Sequence, residues 1–258
     1  MKKNEGKSDY INALANGLSV LECFKDTDEF GITEIGDIAN LPGSSVQRIV
    51  HTLEMKGYLY QNSDNKKYRL TPKILLFYPK SEKLVYWKEQ AKKHMITLNE
   101  FCGENVNLAL RHDDMCSYIE LIESKQLLRP HFTIGDVYPT YCTSLGRSLL
   151  SDKTDQELEL LLPEVLDART AFTITDRSKV IEKIKEIGQR KYGIDDEEFY
   201  LGLRCVGSPI YGIGNKVIAA LSVIAPNVRM DEETINKLIP KVIDTAQNIS
   251  QEYKKIFS

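Results

Sequence analysis

The fold of the N-terminal third is decided by one stretch, LPGSSVQRIVHTLEMKGYLYQ, residues 41–61. Leu41–Gly43 predicts a turn, because the residue before a proline disfavours helix and glycine supplies a free backbone torsion. Ser44 then predicts the N-cap of a helix that runs to about Lys56 and ends at Gly57. Apolar residues at three- and four-residue spacing form its predicted buried stripe, Val46, Ile49, Val50 and Leu53.

The polar side chains of this helix lie off the apolar stripe. In helix-turn-helix proteins the N-terminal half of the second helix contacts base edges in the major groove. Arginine can bind guanine through two hydrogen bonds, and glutamine can do the same with adenine. A polar helix face is equally typical of a solvated surface, so the helix alone leaves both interpretations open. The candidate DNA-binding residues on this face are Ser44, Ser45, Gln47, Arg48 and His51.

Two further helices are predicted before this stretch. Residues 10–24 carry one apolar stripe at helical spacing, and Thr33 predicts the cap of a short helix that includes Ile35 and Ile38. Two short helices around a tight turn that contains glycine form the helix-turn-helix pattern. The stripe of the first helix consists of Ile11, Leu14, Leu18, Leu21 and either Cys23 or Phe24.

A β-hairpin is predicted directly after the third helix. Tyr58–Gln61 and Lys67–Leu70 are prone to form strands, and the polar residues 62–65 between them predict a turn. A hairpin at this position is a wing. Lys66 and Lys67 at its tip are candidates for phosphate contacts, which position a protein on DNA without specifying sequence. Three helices followed by a basic hairpin predict a winged helix-turn-helix that binds double-stranded DNA.

Composition limits the class of protein. The chain has 258 residues and a formal net charge of −3, so attraction to DNA must come from a local patch. Leu41–Lys73 supplies one, with six basic and two acidic residues. The five cysteines are widely spaced, and no metal-ligand pattern, cofactor motif, signal peptide or membrane-spanning run is recognisable. We therefore expect a cytoplasmic protein without metal, cofactor or membrane contact.

The remaining two thirds predict an α+β domain, in which an antiparallel sheet is flanked by helices. Pro72 and Ser81 are predicted helix starts, and they give a winged helix at 1–73, a linker helix at 74–103 and a second domain at 104–258. The predicted strands of that domain are 105–111, 115–123, 127–134, 203–211 and 216–225. Its predicted helices are about 144–150, 155–162 and 176–191, with a long last helix from Asp231.

Motifs along the whole chain resemble those of one family. The N-terminal motifs are NGLSVLE at 16–22, ITEI at 32–35, LPGSSVQR at 41–48 and TLEMKGY at 52–58. The C-terminal motifs are TSLGRSLL at 143–150, YGIDDEEF at 192–199 with GLRCV at 202–206, and AALSV at 219–223. In this order the motifs resemble the IclR family of bacterial transcriptional regulators.

The resemblance implies a winged helix dimer on DNA and a GAF-like effector-binding domain, assembled as a homodimer or a dimer of dimers. It also implies a role as a repressor and a small carboxylate as the effector. The backbone N–H groups at the start of the helix at Ser144 agree with an anion. Asp195 can contact the ligand or order its loop. The effector-binding positions that the resemblance implies are Ser144, Leu145, Asp195, Leu203, Cys205 and Ser222.

Two positions depart from the family pattern. Arg147 stands where the family usually has lysine, and this change keeps a structural charge. Ile224 stands where some relatives have a second pocket serine, so the pocket is expected to be less polar. The departure at Ile224 leaves room for a larger sugar acid or aromatic acid.

Two other functions remain as alternatives. The first is an enzyme built on the GAF-like domain, with Cys142 or Cys205 as the nucleophile. A reactive cysteine needs a nearby base or cation, and the Arg204 neighbour of Cys205 would point to the opposite face of a strand. The second is a winged helix that binds a protein instead of DNA.

Overall fold

The computed structural model describes residues 11–25, 29–71, 73–74 and 82–258. By its internal contacts the chain divides into two units, Met1–Lys80 and Ser81–Ser258. The first residue of the predicted first helix, Tyr10, lies outside the described residues, as do the predicted helix starts at Pro72 and Ser81. Each unit is described by itself below.

The first unit is a winged helix-turn-helix, as predicted. Val20, Ile35, Val46 and Val50 are fully buried in its core, so all three helices contribute to it. The two strands pair antiparallel, with Leu59 opposite Leu70. The elements are α1 (Asn12–Glu22), a 3-10 turn (Cys23–Lys25), α2 (Ile32–Ala39), α3 (Gly43–Met55), β1 (Leu59–Gln61) and β2 (Tyr68–Leu70).

Much of the predicted apolar stripe of α1 is not buried within the first unit. The side chains of Ile11, Leu14 and Leu18 are 65%, 60% and 52% exposed, whereas Val20 is fully buried. The difference arises because the chain tightens into the 3-10 turn after Glu22. That turn brings Cys23 and Phe24 into the core, and the helix before it presents a different face.

The predicted N-caps of α2 and α3 are also wrong. Helix α2 begins at Ile32, and the Glu34 carboxylate accepts a hydrogen bond of 2.6 Å from the Gly31 N–H. Helix α3 begins at Gly43 after Pro42, with no side-chain cap, so Ser44 lies inside its first turn. A proline at the N-cap has no N–H group to satisfy.

The second unit contains a six-stranded antiparallel sheet in the order β5-β4-β3-β8-β7-β6. Helices α4 and α8 pack on one face, and α5 packs on the other with α6 and α7 behind it. The strands are β3 (Asn105–His112), β4 (Met115–Ile122), β5 (Val137–Pro139), β6 (Gly193–Asp196), β7 (Leu203–Tyr211) and β8 (Val217–Pro226). The helices are α4 (Glu82–Cys102), α5 (Ser144–Leu149), α6 (Asp155–Leu161), α7 (Arg177–Arg190) and α8 (Glu232–Phe257).

The two faces of the sheet bury different side chains. Toward α4 and α8 the sheet presents an apolar layer that includes Leu108, Val206 and Leu221. Toward α5 it presents Asn107, Cys205 and Ser222 among apolar neighbours. Successive side chains of a strand point to opposite faces, so the two sets alternate along the same strands.

One predicted strand is wrong and two short strands were not predicted. Residues 127–134 form no strand, because remote side chains satisfy carbonyl groups of this segment. The Arg229 guanidinium donates to the Leu128 carbonyl at 2.9 Å, and the Asn105 amide donates to the Pro130 carbonyl at 2.9 Å. The edge strands are instead β5, which has three residues, and β6, which has four.

Helix α4 belongs to the second unit. Trp87, Ala91, Met95 and Leu98 are buried on one face of the helix, in the same core as residues of α8. The Trp87 indole N–H also donates to the Ile249 carbonyl of α8 at 3.3 Å. The structure therefore places most of the predicted 74–103 linker inside the second unit.

Candidate DNA-binding and effector-binding sites

Helix α3 exposes the polar face that the sequence predicts. Ser44, Gln47, Arg48 and His51 are exposed, and Ser45 is half-buried. The opposite face holds the helix in the core, because Val46 and Val50 are fully buried there. The exposed face therefore presents hydrogen-bond donors and acceptors of the kind that contact base edges, and the helix does not have to rearrange to present them.

The two lysines of the wing have different surroundings. Lys66 lies at the tip of the hairpin, with a left-handed φ of 58° and an exposed side chain. Lys67 instead pairs with Glu34 of α2 at 3.1 Å. Hydrogen bonds from Gly31 and Lys67 lower the pKa of Glu34 below its usual range, so the carboxylate stays charged. Lys66 is the better candidate for a phosphate contact, because the charge of Lys67 is already shared.

The six predicted effector-binding residues line one cavity in the second unit. They come from the start of α5, from β6 and from the two adjacent strands β7 and β8. The cavity has a volume of about 20 Å³, enough for roughly one water molecule. The lining residues that had been predicted are Ser144, Leu145, Asp195, Leu203, Cys205 and Ser222.

A close backbone approach places the start of α5 against the sheet. A Cβ atom on Gly207 of β7 would lie 2.9 Å from the carbonyl carbon of Ser144, closer than real Cβ atoms come. Thr143 caps the helix, and its hydroxyl accepts a hydrogen bond of 3.0 Å from the Gly146 N–H. One of the N–H groups at the predicted anion site is therefore already used.

A buried ion pair lies behind the cavity. The Arg147 guanidinium donates to both carboxylate oxygens of Glu198, at 3.0 and 2.6 Å, and also to the Ile194 carbonyl at 3.1 Å. Both charged side chains are almost fully buried. The pair ties α5 to the segment after β6, which is the structural charge expected at Arg147.

Asp195 both orders its loop and lines the cavity. Its carboxylate accepts a hydrogen bond of 2.8 Å from the Glu198 N–H and contacts the Cys205 thiol on the neighbouring strand. Burial raises the pKa of Asp195 to about 7, although the Arg147 charge acts in the opposite direction. The two roles left open for this residue are therefore compatible.

The sequence did not indicate the aromatic residues that line the cavity or the buried polar residue beside it. Asn107 is fully buried opposite Ser222 on β8 and beside the Tyr118 hydroxyl. No partner meets full hydrogen-bond geometry with its side-chain polar atoms or with the Ser144 hydroxyl, whose polar neighbours are the Tyr118 hydroxyl and the Cys205 thiol, respectively. Only the strand register brings these residues together. The aromatic residues that line the cavity are Tyr118, Phe132, Tyr138, Phe199 and Tyr200.

An open groove of about 540 Å³ lies outside the cavity. Phe132, Tyr138, Tyr200 and Leu203 line both spaces and therefore separate them. Tyr138 contacts Phe132 and Phe199 edge-on, with ring centroids 5.9 and 5.4 Å apart. These aromatic side chains form the wall between the groove and the cavity.

The cysteines have the properties of buried structural thiols. Burial raises the pKa of both Cys116 and Cys142 to about 12, and it raises the pKa of Cys205 well above its ordinary value. A nucleophilic cysteine needs a lowered pKa, so these thiols do not favour the enzyme alternative.

Across the ranges that the structure covers, no group of histidine, cysteine, aspartate and glutamate side chains could hold a metal ion. Among the helices of those ranges, none combines the length and the apolar character needed to cross a bilayer.

A winged helix-turn-helix joined to this α+β unit defines a DNA-binding transcription regulator. The family model of the bacterial transcriptional regulator IclR C-terminal domain matches residues 85–251, and the IclR helix-turn-helix domain matches residues 13–63. The chain belongs to the IclR family. This family and the relatives of the chain are transcriptional regulators and not enzymes.

Relatives of known identity agree in sequence and in fold. The transcriptional regulator KdgR of Escherichia coli K12 is 29% identical over 94% of this chain and 92% of its own length. The crystal structure of Thermotoga maritima IclR has a TM-score of 0.72 at 25% identity, over 95% of this chain and 99% of that one. An IclR homologue from Microbacterium hydrocarbonoxydans, complexed with 4-hydroxybenzoate, shares the fold with a TM-score of 0.70 at 22% identity, over 93% and 98% of the two chains.

Proposed function

We propose that the protein is a sequence-specific repressor whose DNA binding is controlled by a small organic acid bound in the cavity of the second unit. The observation that carries the proposal is the convergence of four separate elements on one enclosed cavity with polar atoms at its end. Buried polar side chains without full hydrogen bonds cost stability, so a role in ligand binding explains their presence better than core packing does.

DNA recognition is assigned to α3 and the wing. Arg48 and Gln47 are exposed on the face that carries the donors for base edges, and we assign base contacts to them. Ser44, Ser45 and His51 flank them on the same helix. Lys66 is assigned to the phosphate backbone, with Lys67 joining it when its pair with Glu34 opens.

The effector is assigned as an acid with an apolar body. The Ser144 hydroxyl supplies an unused donor for a carboxylate, and the aromatic wall suits a flat or apolar remainder. Ligand pockets commonly measure about 300–1,000 Å³, so the cavity must open toward the groove when the acid enters. The 4-hydroxybenzoate bound by the Microbacterium homologue is an acid of this kind.

We propose a homodimer or a dimer of dimers as the DNA-bound form. The apolar face of α1, formed by Ile11, Leu14 and Leu18, is exposed within the first unit and is suited to a contact with a second copy. Helix-turn-helix dimers read two half-sites one helical turn apart, so this assembly also explains how a small module gains specificity.

The test is a fluorescence-anisotropy titration of the purified protein against the DNA upstream of its own gene. It is run at physiological salt with excess unrelated competitor DNA, because electrostatic binding depends strongly on salt. We expect competitor-resistant binding that a screened carboxylic acid releases. Binding that disappears with competitor, and that no acid restores, would favour the protein-binding or enzyme alternatives.

Matched variants separate base contacts from phosphate contacts in the same assay. Arg48→Ala is expected to weaken specific binding by about 1–3 kcal/mol and to relax one position of the site. Lys66→Ala is expected to weaken binding to all sequences and to flatten the salt dependence, more than Lys67→Ala does. Lys179→Ala removes an exposed charge from the second unit and serves as the control. An unchanged salt slope in the Lys66→Ala Lys67→Ala double variant would remove the wing from the DNA contacts.

A further inference from the structure

We propose that Asp195 sets the charge of the effector that the cavity accepts. It holds a proton when an anionic effector binds, so binding takes up a proton from the solvent. This inference rests on the effector site proposed above and adds the protonation state of that site. It makes the response of the regulator stronger at acidic pH.

The first step is the balance of charges around the cavity. Arg147 is the buried cation of this region, and both of its terminal nitrogens donate to Glu198. Asp195 therefore adds a second carboxylate beside one cation that is already paired. A buried charge without its own counter-ion is costly, and protonation removes that cost.

The second step is the set of groups that face Asp195. Arg147 faces it from α5, Cys142 from the segment before α5, and Cys205 from β7. Glu198 faces it from the segment directly after β6, three residues further along the chain. Both thiols are buried, with raised pKa values, so both are neutral and neither adds a negative charge beside Asp195. Arg147 is the cationic group in this set, and burial outweighs it, raising the pKa of Asp195 to about 7.

The third step connects this proton to the ligand. Asp195 and the Ser144 hydroxyl, which meets full hydrogen-bond geometry with no partner, line the same small cavity. If the carboxylate of the effector accepts a hydrogen bond from Ser144, it lies beside Asp195. Two carboxylates that share a buried site cannot both be ionised. A protonated Asp195 instead donates a hydrogen bond to the incoming anion.

The first test needs no ligand. A folded-state pKa of about 7 lies above the ordinary 3.8, so the stability contributed by the proton is present at low pH and is lost as pH rises through about 7. Asp195→Asn cannot titrate, and its amide oxygen keeps the acceptor for the Glu198 N–H. We expect its melting temperature to rise relative to wild type between about pH 4 and about pH 8.

The control is Asp196→Asn, one residue further along the same strand. Asp196 is exposed and pairs with Arg204 at 2.8 Å, so its replacement should run parallel to wild type across this pH range. Infrared spectra of the wild-type protein give a second measurement, since a buried protonated carboxyl has its own carbonyl band. A flat difference between Asp195→Asn and wild type, with no pH-dependent band, would overturn the inference.

The second test adds 4-hydroxybenzoate and its neutral amide to the full-length protein in calorimetry. With a pKa of about 7, we expect the acid to bind about tenfold more weakly at pH 8 than at pH 6, with about 0.9 proton taken up at pH 8. Repeating the titration in buffers of different ionisation enthalpy measures that proton. In Asp195→Asn the affinity is expected to change less than about twofold over the same range.

The outcomes separate this inference from the proposed function. Acid binding without proton uptake would overturn the role of Asp195 while the effector site stands. Equal binding of the acid and the amide at all pH values would overturn the charge selection. If neither compound bound, 4-hydroxybenzoate would be excluded as the effector, and the melting and infrared measurements, which need no ligand, would decide the inference.

Discussion

On the face of the sheet under α4 and α8, Leu108, Val206 and Leu221 belong to one continuous apolar core. On the opposite face, under α5, the buried residues Asn107 and Ser222 are polar, although an ordinary core would have apolar residues at these positions. Both faces belong to the same strands and differ only in the parity of the residues.

The comparison shows that one sheet can present a continuous apolar layer on one face and buried polar side chains on the other. The face under α4 and α8, the filled face, gains from burial of apolar surface, at about 25 cal/mol for each Å². The face under α5, the incomplete face, retains buried polar atoms, which cost stability as long as they lack full hydrogen bonds. A set of substitutions can therefore test whether each face has the role that its side chains indicate.

The largest loss of stability is expected at the ion pair of Arg147 and Glu198, which ties α5 to the segment after β6. Glu198→Ala should lower the free energy of unfolding of the second unit by about 3–5 kcal/mol, because it leaves the Arg147 charge buried and unpaired. Urea unfolding followed by the fluorescence of Trp87, the only tryptophan of the chain, measures this loss. Glu186→Ala, in an exposed pair with Arg190, should cost about 0–1 kcal/mol.

A companion variant sharpens this result. Arg147→Met combined with Glu198→Leu removes both charges and is expected to recover most of the lost stability. If the double variant were as unstable as Glu198→Ala, packing and not the unpaired charge would be the cause.

On the filled face, Leu221→Ala is expected to cost about 2–5 kcal/mol, since it removes buried methyl groups and leaves a hole under α4 and α8. The same unfolding measurement applies. The affinity for an acid effector should stay close to wild type, because Leu221 points away from the cavity. A loss of affinity larger than the loss of stability would contradict the separation of the two faces.

On the incomplete face, Ser222→Leu should have the reverse pattern. The larger side chain fills the cavity, so calorimetry should detect no binding of the acid that releases the DNA, and overpacking should cost about 1–3 kcal/mol. DNA binding should persist, because the substitution lies outside the first unit. Normal affinity for the acid would overturn the assignment of the pocket.

The smallest effect is expected at Asn107. Asn107→Val removes two buried polar atoms that complete no hydrogen bond, so the ligand-free protein should become more stable by about 1 kcal/mol. The affinity for the acid should fall at the same time. A loss of stability would show that Asn107 belongs to the structural core and not to the site.

The sequence predicted the elements whose signals are local. The third helix, the wing and the hairpin of β3 and β4 each follow from spacing and turn residues within about twenty positions. The predicted strand at 127–134 is wrong because Arg229 and Asn105, both distant in sequence, donate hydrogen bonds to carbonyl groups that a strand would use. The stripe of α1 failed because the turn at Cys23 changes which face is buried.

The site divides in the same way. The resemblance to a family selected six positions that the fold brings to one cavity, although no local pattern relates Ser144 to Ser222. Asn107 and Tyr118 carry no signal of their own, since a polar or aromatic residue on a strand is ordinary. Their importance follows from strand register, which a single sequence does not supply.

The absence of a side chain at Gly207 has a consequence for how such a regulator diversifies. The depth of the cavity is fixed where the backbone of β7 meets the backbone of Ser144, and no side chain takes part in that contact. Substitutions at Leu203, Ser222 or Tyr138 can therefore change the lining of the cavity while α5 keeps its place. A protein that keeps a glycine at this position keeps the spacing between α5 and the sheet, whatever side chains line the cavity.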